Sequence, residues 1–432
     1  MYRLAKRSEN SHATANPPNV APSGIRHPGI APAPAAPMPA TKATATHAIG
    51  RFTQKSRMLC HRTESPWHDT RHVKAWQFPL RCRSQTKNGG DPFSAIMIVK
   101  EQENAMALNV SAPEMAFAIR VVREAAALAP RIQSGMKMMN LTKSDLSPTT
   151  VADYAIQALV AQALEAVFPG DPLVAEERSA DLRGNDPMLD TVTRFVRESV
   201  PDADTGKVCH WIDRGDFDPA GRFWLLDPID GTKGYLRGGQ YAVALALVED
   251  GRVELGVLGC PNLSPDCAPA AGGGAIIAAR RGQGTWRTAL SDGVSYEPLR
   301  VSNCMEAVSA RLLRSHEAGH TDAGKIETLR SAMGMQAPPV LMDSQAKYAV
   351  LAAGHAELLL RMLSPNMPDY KEKIWDQAAG MIVTEEAGGR VSDLDGRPLD
   401  FSTGRTLARN RGVVASNGYL HECALKAIAE AG

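Results

Sequence analysis

Three things are scarce in this chain of 432 residues: paired cysteines, long apolar runs and, near its start, acidic side chains. The seven cysteines form no CxxC pair, which argues against a zinc cage or a secreted disulfide framework. No stretch approaches the ~20 consecutive apolar residues that cross a bilayer, so no membrane segment is expected. Internal repeats are absent as well. These absences favour a reduced, globular protein.

Acidic residues are nearly missing from the first ninety positions, where fourteen Lys or Arg face only Glu9, Glu64 and Asp69. Residues 13–48 are mostly Ala, Pro, Thr and Ser, a composition that cannot bury enough surface to offset the entropy lost on ordering. We therefore predict that residues 1–92 are disordered. Their basic, hydroxyl-containing character is typical of a transit segment for a chloroplast or mitochondrion. An unstructured tail on a cytoplasmic protein is the alternative.

Apolar periodicity in the rest of the chain predicts both helices and strands. A helical pattern ends before Pro130, and a second runs from Thr150, as N-cap, to Phe168. Asp153 is expected to cap this second helix, and a supporting role beside a metal site is the alternative. Further helices are predicted at 322–333, 344–355, 372–388 and 419–431, and strands at 173–177, 241–248, 252–258, 274–280, near 311, 357–362 and 412–416. Residues 178–221, polar and rich in Asp and Gly with a helix predicted at their centre, suggest a surface insertion or lid. This order indicates a layered α/β sandwich with two lobes, 105–296 and 297–432.

Two carboxylates, Asp227 and Asp230, follow an apolar run in the sequence WLLDPIDGTKGYLRGGQ. A buried strand that ends in such a turn brings anionic oxygens together where water is scarce, which is unfavourable unless a hard cation neutralises them. Asp residues also stabilise ordinary turns, so a turn without a metal stays open as the alternative. The stretch nevertheless points to a metal site at the end of a strand.

Several stretches resemble the inositol monophosphatase superfamily of metal-dependent, lithium-sensitive phosphatases. They are LVAEE (173–177), LLDPIDGTKGYLRGGQ (225–240) and KIWDQAAGMIVTEEAGG (373–389). Four more resemble its 3′(2′),5′-bisphosphate nucleotidase branch: SDLSPTTVADYAIQALV (144–160), VLGCPNL (257–263), MDSQAKYAVLAAG (342–354) and LDFSTGRTLARNRGVVASNG (399–418). The resemblance covers about residues 110–430 and implies an αβαβα sandwich.

The resemblance also implies a cofactor and a set of site residues. The cofactor would be Mg²⁺, as two or three ions, and its ligands would be Glu176, Asp227, Asp230, Asp376, Asp145 and the carbonyl of Ile229. Catalysis would fall to Asp145, Thr232 and Glu176, with the first two orienting and deprotonating the attacking water. The nucleotide would be bound by Asp230, Thr232, His320, Ser344, Lys347, Arg361 and Asp376. Taken singly, each residue has a plainer interpretation as a turn, cap, loop or surface residue.

The implied activity is removal of the 3′-phosphate from 3′-phosphoadenosine 5′-phosphate, giving AMP and phosphate, with possible action on its sulfated form and a link to sulfur assimilation. An inositol (poly)phosphate 1-phosphatase remains the enzymatic alternative, because it would share the metal turn. A nucleotide sensor with weak catalysis is the alternative from another class. The expected partner is a small nucleotide, with no stable nucleic-acid complex, since the basic N-terminal segment has few aromatics. A monomer is favoured.

Overall fold

The computed structural model describes residues 108–138, 147–270, 272–293, 295–316, 322–364 and 367–431. In these ranges the helices are α1 (Pro113–Met138), α2 (Pro148–Val167), α3 (Asp186–Arg197), α4 (Thr205–Asp213), α5 (Thr232–Arg237), α6 (Ala323–Ala332), α7 (Ala346–Ala352), α8 (Ala378–Glu386) and α9 (His421–Glu430). The segment 1–92 that the sequence predicts to be disordered lies outside the described residues. Within them, no helix is long and apolar enough to cross a membrane.

Twelve described strands form two sheets. The first sheet contains β1 (Leu173–Ala175), β2 (Arg222–Asp230), β3 (Ala242–Glu249), β4 (Arg252–Cys260), β5 (Ala275–Arg280), β6 (Gly284–Ala289) and β7 (Glu297–Leu299), in that spatial order. Only the β1–β2 pair in it is parallel. The second sheet has the order β11-β12-β10-β8-β9 and contains β8 (Leu312–Arg314), β9 (Val340–Leu341), β10 (Leu358–Arg361), β11 (Arg390–Ser392) and β12 (Val413–Ser416).

The two sheets and the helices make five layers, because successive strand residues point to opposite faces and both faces are covered. On β2, Trp224 and Leu226 pack into a core with α1 and α2, whereas Phe223 and Leu225 pack with α7 and α8. One face of the second sheet joins that middle core, and its other face packs against α6 and α9. This arrangement confirms the predicted α/β layered sandwich.

Two boundaries in the N-terminal helices differ from the sequence prediction. Helix α1 continues through Pro130 to Met138, although proline removes one backbone hydrogen bond. Helix α2 begins at Pro148 rather than at a Thr150 cap, which suits proline because its missing N–H would have no partner in the first turn. Asp153 therefore lies inside α2, where it is buried, and its predicted capping role is wrong.

The segment 178–221 is part of the core, and the prediction of a surface insertion or lid is wrong. It contains two helices, α3 and α4, each with an aspartate or asparagine cap. Their apolar faces bury Phe195, Val196, Val208 and Ile212 in the same core as α2. A polar composition concealed these faces, because the many Asp and Gly residues lie on the outer side and in the connections.

Strand β2 is longer than the sequence suggested, because it continues through the predicted metal turn to Asp230. Its pairing with β3 shifts between Asp227 and Asp230, so the chain around Pro228 forms a bulge rather than a turn. Helix α8 is correspondingly shorter than predicted and begins after Asp376. The predicted strands 241–248 and 252–258 are confirmed as β3 and β4, which pair as an antiparallel hairpin. The predicted lobe boundary at 297 coincides with β7, which pairs with β6 of the first sheet; the division into lobes stays a prediction.

Candidate active site

The ends of two neighbouring strands bring the first carboxylates together. Parallel pairing of β1 with β2 sets Ala175 opposite Leu226, so that Glu176 and Asp227 leave the same edge of the sheet. Asp227 is only 3% exposed, whereas Glu176 stands at the solvent-facing side. The bulge at Pro228 then carries the strand to Asp230. The carboxylates thus extend from the interior toward water.

Electrostatics show that Asp376, from the start of α8, joins this group. The pKa of Asp227 is raised well above its ordinary value, first by burial and then by Asp230, Glu176 and Asp376. Burial likewise raises the pKa of Asp376, which Arg361 opposes. Partial desolvation of the carboxyl and the nearby charge of Asp230 raise the pKa of Glu176, and Lys373 opposes this shift. Each of these four carboxylates therefore disfavours the charged form of the others.

One oxygen of this group has no partner in the part of the chain that the structure describes. There, Oδ1 of Asp227 is buried and makes no hydrogen bond, although a buried polar atom normally has one. Among the described residues, no three His, Cys, Asp or Glu side chains converge as a ready-made cage for an ion. Mg²⁺ does not require such a cage, since it keeps several waters and often binds through one or two carboxylates and substrate phosphates. The donor set and the unpartnered oxygen fit that ion.

Gln345 connects the carboxylates of the first sheet with the start of α8. Its backbone N–H donates to Oδ2 of Asp230 at 2.6 Å. Its buried side chain donates to the carbonyl of Trp375 (2.9 Å) and accepts from the N–H of Gly380 (3.0 Å). Gln345 thereby holds Asp230 and the segment that carries Asp376 in place through its own hydrogen bonds. No sequence pattern identified it.

Two basic side chains lie beside the carboxylates. Lys347 is 5% exposed, and burial lowers its pKa to about 8, although Asp230 opposes this effect. Arg361, at the end of β10, forms a 2.8 Å ion pair with the buried carboxylate of Glu372. Both cations lower the pKa of Asp230, whose burial acts in the opposite direction. The site therefore contains positive as well as negative groups.

Glycine allows the loop after β2 to approach Ser344 closely. Gly231 has φ +87°, and a Cβ at this position would lie 2.7 Å from Cβ of Ser344. Thr232 begins α5 and is exposed, with its hydroxyl 3.5 Å from the carbonyl oxygen of Ile229. The predicted residues Ile229, Thr232 and Ser344 thus lie around the same loop as Asp230.

A second acidic group lies near Glu176, and it includes Asp153, for which the sequence left a supporting role near the metals open as an alternative. Asp153 is buried in α2, and its pKa is raised by burial and by Glu177 and Glu176. The pKa of Glu177 is raised to about 7, chiefly by burial. Gln157 holds this strand end in place, because its side chain accepts from the N–H of Glu177 (3.0 Å) and donates to that residue's carbonyl (2.7 Å). Helical spacing from Asp153 to Gln157 is the only signal that relates the two in sequence.

The structure brings together most of the predicted site residues: Glu176, Asp227, Ile229, Asp230, Thr232, Ser344, Lys347, Arg361 and Asp376. Asp145 and His320 lie outside the described residues, and their roles stay predictions. A groove of about 720 Å³ lies elsewhere, between α6 and α9, and none of the predicted residues lines it. We base the site on the carboxylates and cations, because that groove lacks a comparable buried charged group.

Comparison with known proteins identifies the family. The model of the inositol monophosphatase family matches residues 110–432, about three quarters of the chain. The chain belongs to the inositol monophosphatase family.

Relatives within this family share much of the chain. A protein of Oryza sativa named 3′(2′),5′-bisphosphate nucleotidase is 40% identical over 345 residues, which cover 75% of this chain and 95% of the relative. A protein of Emericella nidulans with the same name is 38% identical over 335 residues, or 71% and 95% of the two chains. A solved structure titled Thermotoga maritima IMPase is 22% identical, covers 74% of this chain and 97% of that one, and has a TM-score of 0.50. That likeness supports the fold alone.

Proposed function

We propose that this member of the inositol monophosphatase family is a Mg²⁺-dependent phosphatase that hydrolyses the 3′-phosphate of 3′-phosphoadenosine 5′-phosphate to AMP and phosphate. The observation that carries the proposal is the juxtaposition of an acidic group containing an unpartnered oxygen with the cations Lys347 and Arg361. A substrate with two phosphates needs both, one region for the reacting phosphate and one for the other. The names of the relatives agree with this substrate class.

Each half of the site would have its own task. Glu176, Asp227, Asp230, Asp376 and the carbonyl of Ile229, together with Asp145, would hold two or three Mg²⁺ ions. When bound, these ions neutralise phosphate oxygens and favour a nucleophilic water. Asp145 and Thr232 would orient that water and take its proton. The water oxygen then bonds to phosphorus while the bond from phosphorus to the 3′ oxygen breaks, and the leaving oxygen is protonated to a hydroxyl.

The second phosphate would be bound by the cations. Arg361 presents a planar guanidinium fixed by Glu372, a geometry that suits phosphate oxygens, and Lys347 adds a compact charge. Ser344 and His320 would complete this region. The sulfated nucleotide would bind in the same way, which would connect the enzyme with sulfur assimilation.

Two further parts of the proposal concern the molecule's setting. The basic segment 1–92 supports targeting to a chloroplast or mitochondrion, and we propose that the enzyme acts there as a monomer on a small nucleotide. Import of a fluorescent fusion of residues 1–92, compared with a fusion in which its Lys and Arg residues are replaced by Gln, tests the targeting.

Phosphate release from the full-length chain tests the activity. The nucleotide and an inositol bisphosphate are supplied at equal concentration, with and without Mg²⁺ and with added Li⁺. We expect release from the nucleotide only with Mg²⁺, and inhibition by Li⁺. Faster release from the inositol compound would instead support an inositol (poly)phosphate 1-phosphatase. Tight nucleotide binding without release by the Mg²⁺-loaded protein would support a sensor.

A matched pair of variants separates the two regions of the site. Arg361→Lys keeps the charge but loses the planar fork, so the KM for the nucleotide should rise about tenfold while kcat changes less. Arg330→Lys, on α6, where the partly buried Arg330 pairs with Glu327 (2.7 Å), is the control and should leave both constants unchanged. An unchanged KM in Arg361→Lys would contradict phosphate binding by this residue.

A further inference from the structure

Arg405 is a cation of the C-terminal loop that lies between two predicted metal ligands without pairing with either. Its guanidinium donates to the carbonyls of Ala175, Gly215 (3.3 Å) and Phe217 (3.2 Å). Ala175 immediately precedes Glu176. An arginine that uses its donors on backbone carbonyls gains no ion pair, so its contribution is geometric.

The backbone that carries Arg405 is attached to the other ligand's segment. Residues 373 and 406 form an antiparallel bridge, the carbonyl of Arg405 accepts from the N–H of Ile374 (3.3 Å), and Leu407 donates to the carbonyl of Glu372 (2.9 Å). The Arg405 guanidinium also lies 4.9 Å from the centre of the Trp375 ring, within cation–π range. Trp375 immediately precedes Asp376.

The strand end that receives the guanidinium is itself held firmly. The N–H of Ala175 donates to the carbonyl of Gly215 (2.9 Å), the same oxygen that accepts from Arg405. A Cβ on Gly215 would lie 2.6 Å from Nε2 of Gln157, so the backbone there has little room to move. Displacement of Arg405 would therefore shift the backbone of Ala175 and, with it, the position of Glu176.

We propose that Arg405 is a positioning residue that sets the separation between Glu176 and Asp376, and hence the affinity for Mg²⁺. The inference rests on the proposed function only in taking these two carboxylates as metal ligands. Charge alone does not explain the residue, because its guanidinium donates to three backbone carbonyls and to no carboxylate of the described residues. The planar guanidinium contacts three carbonyls and the Trp375 ring at the same time, and this geometry is what would fix the separation of the two carboxylates.

Calorimetric titration of the full-length protein with Mg²⁺, in the absence of nucleotide, tests the inference. Arg405→Lys keeps the charge but cannot span the carbonyls, and Arg405→Met keeps only the apolar stem. Partners that orient metal ligands contribute about 10–100-fold to metal affinity, so we expect the Mg²⁺ dissociation constant to rise at least about tenfold in both variants. Arg409→Met is the matched control, since Arg409 lies in the same loop, is 73% exposed and pairs with Asp400.

Activity and stability measurements separate positioning from other roles. In the Arg405 variants, the Mg²⁺ concentration for half-maximal activity should rise in parallel with the dissociation constant, while the nucleotide KM at saturating Mg²⁺ stays near that of the parent. A dissociation constant within twofold of the parent in folded Arg405→Lys and Arg405→Met would overturn the inference. So would loss of the fold in both variants, or failure of the parent to bind Mg²⁺. A parent that binds Mg²⁺ but does not hydrolyse the nucleotide would refute the proposed function and leave this test intact.

Discussion

At the scale of single residues, Asp227 illustrates a conflict between stability and activity. The carboxylate is almost fully buried, has an oxygen without a partner among the described residues, and is close enough to four other acids (Asp153, Glu176, Asp230 and Asp376) for them to raise its pKa. Without a cation, these features destabilise the folded state. Sites of this kind commonly gain stability when their charge is removed and lose function at the same time.

We therefore expect Asp227→Asn to act in opposite directions on stability and activity. In EDTA, the melting temperature should rise by about 2 °C, because one repelling charge is gone. Phosphate release with Mg²⁺ should fall by at least ~100-fold, since even partners outside the ligand set are worth 10–100-fold. Differential scanning fluorimetry and the phosphate assay measure the two effects. Asp202→Asn, at a 77% exposed aspartate, is the control; a lower melting temperature in Asp227→Asn would contradict the account.

At the scale of elements, the short helix α5 is bounded by two left-handed glycines with different surroundings. Gly231 has φ +87° and faces Ser344, whereas Gly238 has φ +71° and no atom within 4 Å of an added Cβ. Both positions therefore require a left-handed backbone, but only Gly231 lies so close to another residue, Ser344, that a Cβ would collide with it. They form a natural matched pair.

Alanine at these two glycines should give clearly different results. Gly238→Ala should cost about 1–2 kcal/mol for the left-handed backbone and leave kcat nearly unchanged. Gly231→Ala must also push Ser344 away, which shifts Gln345 and Asp230, and a 1 Å misplacement can cost about 100-fold in rate. Chemical denaturation and steady-state kinetics provide the comparison. Equal kcat values for the two variants would show that the Ser344 contact does not matter.

The second sheet is joined to α9 by a buried histidine. His421 lies between the hydroxyls of Ser392 on β11 and Ser416 on β12, with 2.9 Å from its Nε2 and Nδ1 respectively. Its pKa is lowered to about 4, first by burial and then by Arg390, with Glu422 opposing. The ring is therefore neutral in the folded protein at pH 7.

This lowered pKa predicts how the stability depends on pH. In the unfolded chain the imidazole of His421 is protonated with a pKa near 6.5, whereas in the folded chain its pKa is about 4. The contribution of His421 is fully present above pH 6.5 and is lost as the pH falls toward 4. We expect His421→Gln to reduce the free energy of unfolding by about 1–3 kcal/mol at pH 7.5. The difference from the parent should shrink on the order of 1 kcal/mol per pH unit below pH 6. A difference that is constant in urea titrations across this range would refute the assignment.

At the scale of the whole molecule, metal binding and folding should be coupled. An ion that binds only the folded state stabilises it by about 2.7 kcal/mol at a hundredfold excess over its dissociation constant. For a chain of this size, that corresponds to a melting temperature about 4–6 °C higher. Mg²⁺ should produce this rise in the parent and little of it in Asp227→Asn. The same rise with NaCl at equal ionic strength would indicate screening of the carboxylates rather than binding.

Local sequence patterns predict most helices and strands of the molecule well, but they predict poorly the contacts between segments that are distant in sequence. The hairpin signal Glu249-Asp250-Gly251 between two apolar runs identified β3 and β4, and the string around Asp227 and Asp230 identified the acidic site. Pro130 misled the prediction of α1, because tertiary packing overrode the usual effect of proline. Asp153 was mistaken for a cap because its burial inside α2 and its proximity to Glu177 arise only in the folded chain.

The residues that hold the site together could not be found from sequence. Gln345 reaches Asp230 across 115 positions, and Arg405 reaches Ala175 across 230. Neither contact leaves a periodic signal, and a glutamine or arginine at such a position is indistinguishable from a surface residue. Only the folded arrangement of the two sheets brings these partners within hydrogen-bonding distance.

Two of the carboxylates and the two cations lie in different parts of the fold: Asp227 and Asp230 are on β2 of the first sheet, whereas Arg361 ends β10 of the second sheet and Lys347 lies on α7. On the proposed function, hydrolytic chemistry and choice of substrate would therefore depend on separate parts of one polypeptide. Exchanging residues around β10 and α7 should change the preferred substrate to another phosphorylated compound, while the hydrolytic centre is retained. Duplicated genes of this fold could diverge in what they consume without having to reinvent how they consume it.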